Sequence, residues 1–289
     1  HALREAISAY IDMPKGMILA GNGADELIDL ILRVFVGPGD GVLNCPPTFG
    51  MYAFDGALQG GRVIEVPRGD DFSLDVEAIE AAVERERPKV LFLTSPNNPD
   101  GSLTPDETLL RLLRLPVVIV VDEAYAEFAG HSVIQWVRDY PNLIVLRTFS
   151  KWAGLAGLRV GYGAFPENII QHLWKIKQPY NVNVAGAAAA IASLEDVAYL
   201  RANVAKIVAE RERMAEELTR FDFLRPYPSR ANFILCRVIG RNARELRDAL
   251  EARGVLVRYF NKPGLTDCIR ISVGRPEHTD RLVEALARV

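Results

Sequence analysis

The sequence has few cysteines and histidines, and it lacks any long apolar run. Its three cysteines, Cys45, Cys236 and Cys268, lie far apart and form no C-x-x-C pair, which argues against a disulfide framework and for a reducing compartment. The four histidines do not have the spacing of zinc ligands. No apolar stretch is long enough to cross a bilayer, and no signal peptide is recognisable. The sequence therefore predicts a cytoplasmic protein without a metal site or a membrane contact.

An excess of one charge is also missing. Thirty-four Lys and Arg against thirty-seven Asp and Glu give a net charge of -3, and no dense basic block occurs. We therefore expect no nucleic-acid partner. The 289 residues are enough for one large domain or two unequal ones. The sequence opens at His1 on helix-like residues, from which we expect further residues upstream of it.

Short apolar segments alternate with helical patterns over the first half of the chain. The strand-like segments are Met17–Ala20, Gly41–Cys45, Arg62–Val66, Lys89–Thr94, Val117–Val121 and Leu143–Arg147. The helical patterns between them are Ala24–Val36, Asp75–Arg85 and Pro105–Leu113. This alternation predicts an α/β fold with a mostly parallel sheet covered by helices on both faces. In such sheets, ligands bind outside the carboxyl ends of the strands.

The pattern changes near residue 195. After a long charged helical run from Asp196 to Arg220, strand patterns alternate irregularly with two helices. The strands are predicted at Ala231–Arg237, Val255–Tyr259 and Cys268–Val273, and the helices at Ala243–Arg253 and Pro276–Ala287. We therefore predict a large domain over residues 1–195 and a smaller α+β domain over residues 196–289.

The segment from Gly21 to Ile31, G-N-G-A-D-E-L-I-D-L-I, follows a predicted strand and opens a predicted helix. Free N–H groups and the dipole at a helix N-terminus favour a phosphate, and Gly21 and Gly23 let the backbone come close to an anion. On its own, a glycine turn capped by acidic residues is the commoner explanation. No third glycine follows at the spacing of a dinucleotide-binding fingerprint.

Three further segments carry aromatic or polar groups just past predicted strand ends. C-P-P-T-F-G-M-Y contains Phe49, which can stack on a flat ligand, and T-S-P-N-N-P-D-G contains Asn98, whose amide can donate to a ligand oxygen. V-V-I-V-V-D-E-A-Y places Asp122 at the edge of a buried strand, where a carboxylate needs a partner. Taken singly, the first two segments are better explained as turns, and the third is equally well explained as a helix cap.

The segment R-T-F-S-K-W-A-G-L-A-G-L-R-V-G-Y follows the sixth strand. It places Ser150, Lys151 and Arg159 at the strand end and in a loop of small residues. A lysine in a crevice can act as an amine nucleophile, although an exposed lysine after a strand is common.

The combination of these groups is more informative than any one of them. An anion site, an aromatic plate, an amide donor, a carboxylate and a lysine all lie past strand ends that converge in an open sheet. Pyridoxal 5′-phosphate (PLP) needs these groups, because it has a phosphate, a flat ring, an aldehyde and a pyridine nitrogen. The sequence therefore predicts a PLP site.

The same motifs resemble, in order, those of the fold-type I PLP-dependent aminotransferases (class I/II). N-G-A-D-E, P-P-T-F-G-M-Y, S-P-N-N-P-x-G, V-D-E-A-Y, T-F-S-K-x-x-G-L-A-G-L-R, V-L-V-R and C-I-R-I-S-V-G look most like the histidinol-phosphate aminotransferase branch, across essentially the whole chain. The resemblance implies a homodimer with shared active sites. It also implies an N-terminal segment over the substrate, with a tyrosine that lies upstream of this sequence.

The resemblance assigns the groups around the cofactor ring. Lys151 is similar to the lysine that holds PLP as a Schiff base, and Asp122 to the partner of the pyridine nitrogen. Tyr125 and Asn98 match the residues that bind the phenolic oxygen. Phe49 stands where the family stacks an aromatic ring, usually a tyrosine.

The resemblance also assigns the anion-binding groups. The phosphate would be bound by Ser150, Arg159 and the backbone of Gly23, Ala24 and Asp25. Arg270 matches the arginine that binds the α-carboxylate of the substrate. Arg258, twelve residues earlier, matches an arginine that binds a substrate phosphate, although a solvated arginine at a strand end is the ordinary alternative.

The implied reaction moves an amino group from a small amino donor to a 2-oxo acid, here from histidinol phosphate to 2-oxoglutarate in histidine biosynthesis. Three alternatives remain open at this point. Two are enzymes of the same fold, an aromatic-amino-acid aminotransferase and a threonine-phosphate decarboxylase. The third is a non-catalytic PLP-binding domain, against which the retained Lys151 argues.

Overall fold

The computed structural model describes residues 1–289 and arranges the strands in two sheets. Seven strands form the larger sheet in the order β1-β7-β6-β5-β4-β2-β3. They are β1 (Ile18–Gly21), β2 (Gly41–Asn44), β3 (Arg62–Glu65), β4 (Val90–Thr94), β5 (Val118–Asp122), β6 (Leu143–Thr148) and β7 (Gly161–Ala164). Only β7 is antiparallel to its neighbours, so the predicted α/β fold with a mostly parallel sheet is confirmed.

The helices lie on both faces of this sheet and around the second one. They are α1 (Ala2–Ile11), α2 (Ala24–Phe35), α3 (Met51–Leu58), α4 (Val76–Glu86), α5 (Asp106–Leu112), α6 (Ala126–Ala129), α7 (Glu167–Ile176), α8 (Val184–Glu195), α9 (Val197–Leu218), α10 (Ala243–Glu251) and α11 (Pro276–Leu286). None of them combines the length and the apolar composition that crossing a bilayer requires.

Successive side chains of the central strands pack into two separate apolar cores. Leu91, Leu93 and Ile119 belong to one apolar cluster, whereas Phe92 and Val120 belong to the other. This follows from the alternation of side chains along a strand. Because both faces are covered, the strands are apolar throughout, and polar side chains appear only where the strands end.

Strand β7 was missed in the sequence because it consists of G-Y-G-A and has no β-branched residue. Its glycines are required by close packing. A Cβ on Gly161 would lie 2.4 Å from the backbone nitrogen of Ala24, and one on Gly163 would lie 2.6 Å from the ring of Phe165. The strand therefore brings the start of α2 against the edge of the sheet.

The second sheet is antiparallel, in the order β10-β11-β9-β8. Its strands are β8 (Leu224–Pro226), β9 (Phe233–Val238), β10 (Arg258–Tyr259) and β11 (Cys268–Ser272). The prediction of a strand over Val255–Tyr259 was too long. The backbone N–H of Val255 instead donates to Leu250 and closes the turn after α10, with Gly254 at a φ of 75°.

A buried ion-pair cluster joins the ends of β5 and β6. Arg147 Nε lies 2.9 Å from Glu123 Oε2, and its Nη1 lies 3.0 Å from Glu127 Oε1. All three side chains are less than a tenth exposed. Glu123 also accepts hydrogen bonds from Ser132 and Val133. The cluster therefore fixes the two strand ends that carry Asp122 and Thr148.

We expect Arg147→Met to destabilise the fold by about 3–5 kcal/mol at pH 7, because two buried carboxylates lose their cation. Burial already raises the pKa of Glu127, so the loss of stability in the variant should become smaller as the pH falls and Glu127 takes up a proton. Urea unfolding at pH 5 and pH 7 measures both effects.

The matched control is Arg62→Met, which breaks an ion pair to Glu86 in which Arg62 is half exposed and should change the unfolding free energy little. Equal effects of the two substitutions would show that the buried cluster does not hold the strand ends.

Candidate active site

A cavity of about 230 Å³ lies at the carboxyl ends of the central strands. Ten of the twelve predicted site residues line it, and Gly23 and Arg258 do not. The ten are Ala24, Asp25, Phe49, Asn98, Asp122, Tyr125, Ser150, Lys151, Arg159 and Arg270. They come together because parallel strands end at the same edge of a sheet, and the chain leaves β1, β4, β5 and β6 there.

The start of α2 forms one end of the cavity. The first N–H groups of a helix have no partner inside it, and the side chain of Arg159 lies beside the start of α2. The Nη2 of Arg159 lies 2.6 Å from Asp25 Oδ2. A Cβ on Gly23 would lie 2.4 Å from that Nη2 atom. Gly23, at a φ of 80°, therefore allows the guanidinium to lie against the helix end.

A hydroxyl group completes this end of the cavity. Ser150 Oγ lies 2.9 Å from Thr148 Oγ1, and both residues line the cavity. Helix N–H groups, a hydroxyl and a guanidinium together form a set of donors for a phosphate.

Asp122 lies at the floor of the cavity, and 5% of it is exposed. Its Oδ2 accepts a hydrogen bond of 2.7 Å from Tyr52 and its Oδ1 one of 3.0 Å from the backbone N–H of Ala124. Burial raises the pKa of Asp122 to about 6, although Tyr52 and Ala124 act in the opposite direction. The carboxylate therefore keeps its charge at neutral pH without a salt-bridge partner, as a group awaiting a cation would.

Lys151 follows β6 and lines the cavity. Burial lowers the pKa of the amine, and the charge of Arg270 lowers it further, against the opposing effect of Asp122. Its Nζ atom lies 5.8 Å from the centroid of the Tyr125 ring. The lowered pKa increases the fraction of neutral, nucleophilic amine.

Arg270 reaches the cavity from β11 of the second sheet. Its Nη1 donates a hydrogen bond of 2.5 Å to Asn98 Oδ1, and its guanidinium carbon lies 4.7 Å from the Phe233 ring. The half-buried guanidinium has no salt bridge, and its Nε has no hydrogen-bond partner. Such a cation is suited to a ligand carboxylate, which it can bind with two parallel hydrogen bonds.

Arg258 lies directly opposite Arg270 in the β10–β11 register. The two arginines therefore lie on adjacent strands of the second sheet. Arg258 is exposed, and both guanidinium carbons lie 5.5 Å from the Phe260 ring. The positive charge of Arg258 contributes to lowering the pKa of Arg270.

Sequence reasoning missed other residues of the site. Thr94, Thr148, Ala124 and Ala156 line the cavity, and Tyr52 supports Asp122 from behind. The only signal for Tyr52 was its place in the same C-P-P-T-F-G-M-Y segment as Phe49. The hydroxyls of Thr94 and Thr148 had none, since each ends an apolar strand.

The comparisons with known proteins agree with this arrangement. The family model "Aminotransferase class I and II" matches residues 1–286. The chain belongs to the class I and II aminotransferases. The histidinol-phosphate aminotransferase of Roseiflexus castenholzii is 56% identical over 290 residues, which cover 99% of this chain and 78% of that protein.

Two solved structures extend the likeness of this aminotransferase to the fold. The histidinol-phosphate aminotransferase of Sinorhizobium meliloti, in complex with pyridoxal-5′-phosphate, gives a TM-score of 0.92 at 34% identity, over 100% of this chain and 80% of that one. The L-threonine-O-3-phosphate decarboxylase of Porphyromonas gingivalis gives 0.86 at 26% identity, over 99% of this chain and 87% of that one.

As a member of this family the chain is a PLP-dependent transaminase, which acts on an amino donor and a 2-oxo acid. The cavity fits the cofactor on its own evidence. A buried carboxylate without a salt-bridge partner matches the pyridine nitrogen, a cradle that a Cβ on Gly23 would fill matches the phosphate, and an amine of lowered pKa matches the aldehyde.

We expect Asp122→Asn to stabilise the cofactor-free aminotransferase at pH 8. Because the pKa of Asp122 is about 6 in the folded state and 3.8 ordinarily, stability falls as the pH rises between these values and stays low above them. The cost is about 3 kcal/mol, since each pKa unit is worth about 1.4 kcal/mol. Urea unfolding at pH 4 and pH 8 measures the difference.

The stability gained by Asp122→Asn should disappear at pH 4. When PLP is added at pH 8, the wild type should become the more stable protein, because the cofactor stabilises it more than the variant. A variant that is less stable than the cofactor-free wild type at pH 8 would show that the carboxylate serves the fold and is not held for a cation.

Proposed function

We propose that this aminotransferase transfers the amino group of histidinol phosphate to 2-oxoglutarate, giving imidazole acetol phosphate and glutamate, in histidine biosynthesis. The observation that supports this specificity best is the pairing of Arg258 with Arg270 on neighbouring strands. Two cations side by side suit a cycle in which both a carboxylate and a phosphate must be bound. The name of the Roseiflexus castenholzii relative supports the same substrate.

In this proposal, five residues surround the ring of the cofactor. The amine of Lys151 binds its aldehyde, and Asp122 pairs with the pyridine nitrogen. Tyr125 and Asn98 hold the phenolic oxygen. Burial raises the pKa of Tyr125 to about 12, so its hydroxyl keeps its proton and donates. Phe49 supplies the aromatic plate.

The phosphate lies at the start of α2 in the proposed arrangement. The backbone N–H groups of Ala24 and Asp25 donate to it, together with the Ser150 hydroxyl and the Arg159 guanidinium. Gly23 acts through its lack of a side chain and need not line the cavity. The contact between Arg159 and Asp25 holds the guanidinium in place before the phosphate arrives.

The cofactor supplies an electron sink for the pair of electrons left when the α-proton is removed. Once the amine of the substrate has replaced Lys151 on the aldehyde carbon, the freed Lys151 would accept that proton at Nζ, and its lowered pKa favours the neutral amine that this step needs. Asp122 keeps a proton on the pyridine nitrogen, an electrostatic contribution of the kind that matters most in enzymes. Arg270 binds the α-carboxylate of glutamate and so orients the α-hydrogen toward Lys151.

Arg258 supplies the specificity for the substrate phosphate. A threonine-phosphate decarboxylase is the second candidate, because its substrate also carries a phosphate and the Porphyromonas gingivalis enzyme has the same fold. An aromatic-amino-acid aminotransferase has less support, since its substrates give the Arg258 cation no phosphate. A non-catalytic PLP-binding protein has less support, because the cavity also contains Arg270, a cation suited to a substrate carboxylate.

We also propose a cytoplasmic homodimer. The three cysteines are free and buried, which agrees with a reducing compartment. Large apolar side chains are exposed on α3 and just before and within α8, as expected of a surface that is covered in an assembly. They are Phe54, Leu58, Tyr180 and Val184, between 60% and 99% exposed. Light scattering of the purified protein tests the dimer directly.

Borohydride reduction followed by peptide mapping should place the pyridoxyl label on Lys151. Lys151→Ala should lose both the label and the transamination. Lys177 is the matched control, because its pKa is also lowered by burial but it does not line the cavity. A label on Lys177 in the wild type would overturn the assignment of the catalytic lysine.

We expect Arg258→Ala to slow the half-reaction with histidinol phosphate about 30- to 150-fold, the value of a lost charge-assisted contact. The glutamate half-reaction should change less. Arg270→Ala should impair the glutamate half-reaction at least as much. Cofactor absorbance in single-turnover experiments measures each rate.

Arg275→Ala is the control for these arginines, because Arg275 is exposed and pairs only with Glu277. An unchanged rate with histidinol phosphate in Arg258→Ala would remove the proposed phosphate contact. Release of carbon dioxide from threonine phosphate by the wild type would favour the decarboxylase.

A further inference from the structure

Tyr52 makes a hydrogen bond to Asp122, and no part of Tyr52 is exposed. Its hydroxyl donates to Asp122 Oδ2 at 2.7 Å and lies 2.8 Å from Thr94 Oγ1. Tyr52 does not line the cavity, so it cannot touch the substrate. Any effect it has on the reaction must pass through Asp122.

Aromatic neighbours fix the ring of Tyr52 from two sides. It stacks on Phe92 with ring centroids 4.8 Å apart and an interplanar angle of 7°. Phe49 meets it edge-on at 5.5 Å and 76°. Since Phe92 belongs to β4 and Phe49 precedes α3, the position of the hydroxyl is set by the core and not by solvent.

Both oxygens of Asp122 are therefore held from behind. The backbone of Ala124 fixes Oδ1 and the Tyr52 hydroxyl fixes Oδ2. A carboxylate with one oxygen free would rotate about its terminal torsion, which is broad for aspartate. With both oxygens bound, the remaining lone pairs face in one fixed direction.

The Tyr52 hydroxyl also belongs to a series of hydrogen bonds that is compatible with either charge state of Asp122. Thr94 Oγ1 lies 3.2 Å from Thr48 Oγ1, which donates to Asn97 Oδ1 at 2.8 Å. When Asp122 is ionised, Tyr52 donates to it and Thr94 donates to Tyr52. When Asp122 is protonated, each hydroxyl can turn and donate the other way. No buried hydroxyl then loses all its partners in either state.

We propose that Tyr52 is a positioning residue that keeps the Asp122 carboxylate ionised and fixes its orientation toward the ring nitrogen of the cofactor. This rests on the proposed role of Asp122. A hydrogen bond to an ionised group stabilises the charged form, and it compensates here for part of the cost of burying the charge.

The test compares PLP with its 1-deaza analogue, in which carbon replaces the ring nitrogen, for binding to the cofactor-free protein. Tyr52→Phe removes only the hydroxyl and keeps the aromatic packing. It should weaken PLP about tenfold, the value of a modest charge-assisted contact, and should leave the affinity of the deaza analogue within about twofold. In the Asp122→Asn background, Tyr52→Phe should change neither affinity.

The matched control is Tyr162→Phe. Tyr162 is also fully buried, but its hydroxyl has no hydrogen-bond partner and it does not line the cavity. It should leave both affinities unchanged. Urea unfolding of each variant checks that the fold persists.

The dependence of PLP affinity on pH gives a second measurement. The hydrogen bond from Tyr52 lowers the pKa of Asp122, so the weakening of PLP binding at acid pH should begin at a higher pH in Tyr52→Phe. A purely structural role of Tyr52 would leave the pH at which PLP binding begins to weaken unchanged.

Equal losses for PLP and the deaza analogue, or none for either, would overturn the role of Tyr52. A wild type that does not discriminate between the two ligands would overturn the assignment of Asp122 first. The label on Lys151 tells separately whether the cofactor binds in this cavity.

Discussion

The site depends on one costly interaction, the burial of the Asp122 charge without a salt-bridge partner. Two hydrogen bonds, from Tyr52 and from the backbone of Ala124, and the nearby charge of Lys151 stabilise the carboxylate. They do not compensate fully, since the pKa of Asp122 remains well above its usual value. The buried charge lowers the stability of the cofactor-free protein. It becomes favourable when the cofactor binds, because it then pairs with a positively charged ring nitrogen.

The rest of the fold supports that arrangement. Two apolar cores hold the central strands from both faces, so that β4, β5 and β6 end in register. Behind them, the Arg147 cluster joins the ends of β5 and β6, which carry Asp122 and lead to Lys151. The second sheet then brings Arg270 over the cavity, where Asn98 meets it. Carboxylate, amine and guanidinium are thus held by three separate parts of the chain.

Much of this could be predicted because strand ends of a parallel sheet meet at one edge. Asp122, Asn98 and Lys151 each follow an apolar run, and the resemblance to the aminotransferases named their roles. Strand β7 could not be predicted, since its glycines serve contacts with α2 and Phe165 that no local pattern encodes. Tyr52 was overlooked because its importance lies in a hydrogen bond to a residue seventy positions away. The short β10 shows that local β-propensity does not decide which residues find a partner strand.

The most direct test is the protonation state of the ring nitrogen in the assembled protein. The nitrogen-15 chemical shift of bound PLP, labelled at the ring nitrogen, distinguishes a pyridinium from a neutral pyridine. We predict a pyridinium at pH 8 in the wild type, because only the ionised Asp122 makes that charge favourable in a buried site. A neutral pyridine at pH 8 would contradict the account, since the buried carboxylate would then have no cation to pair with.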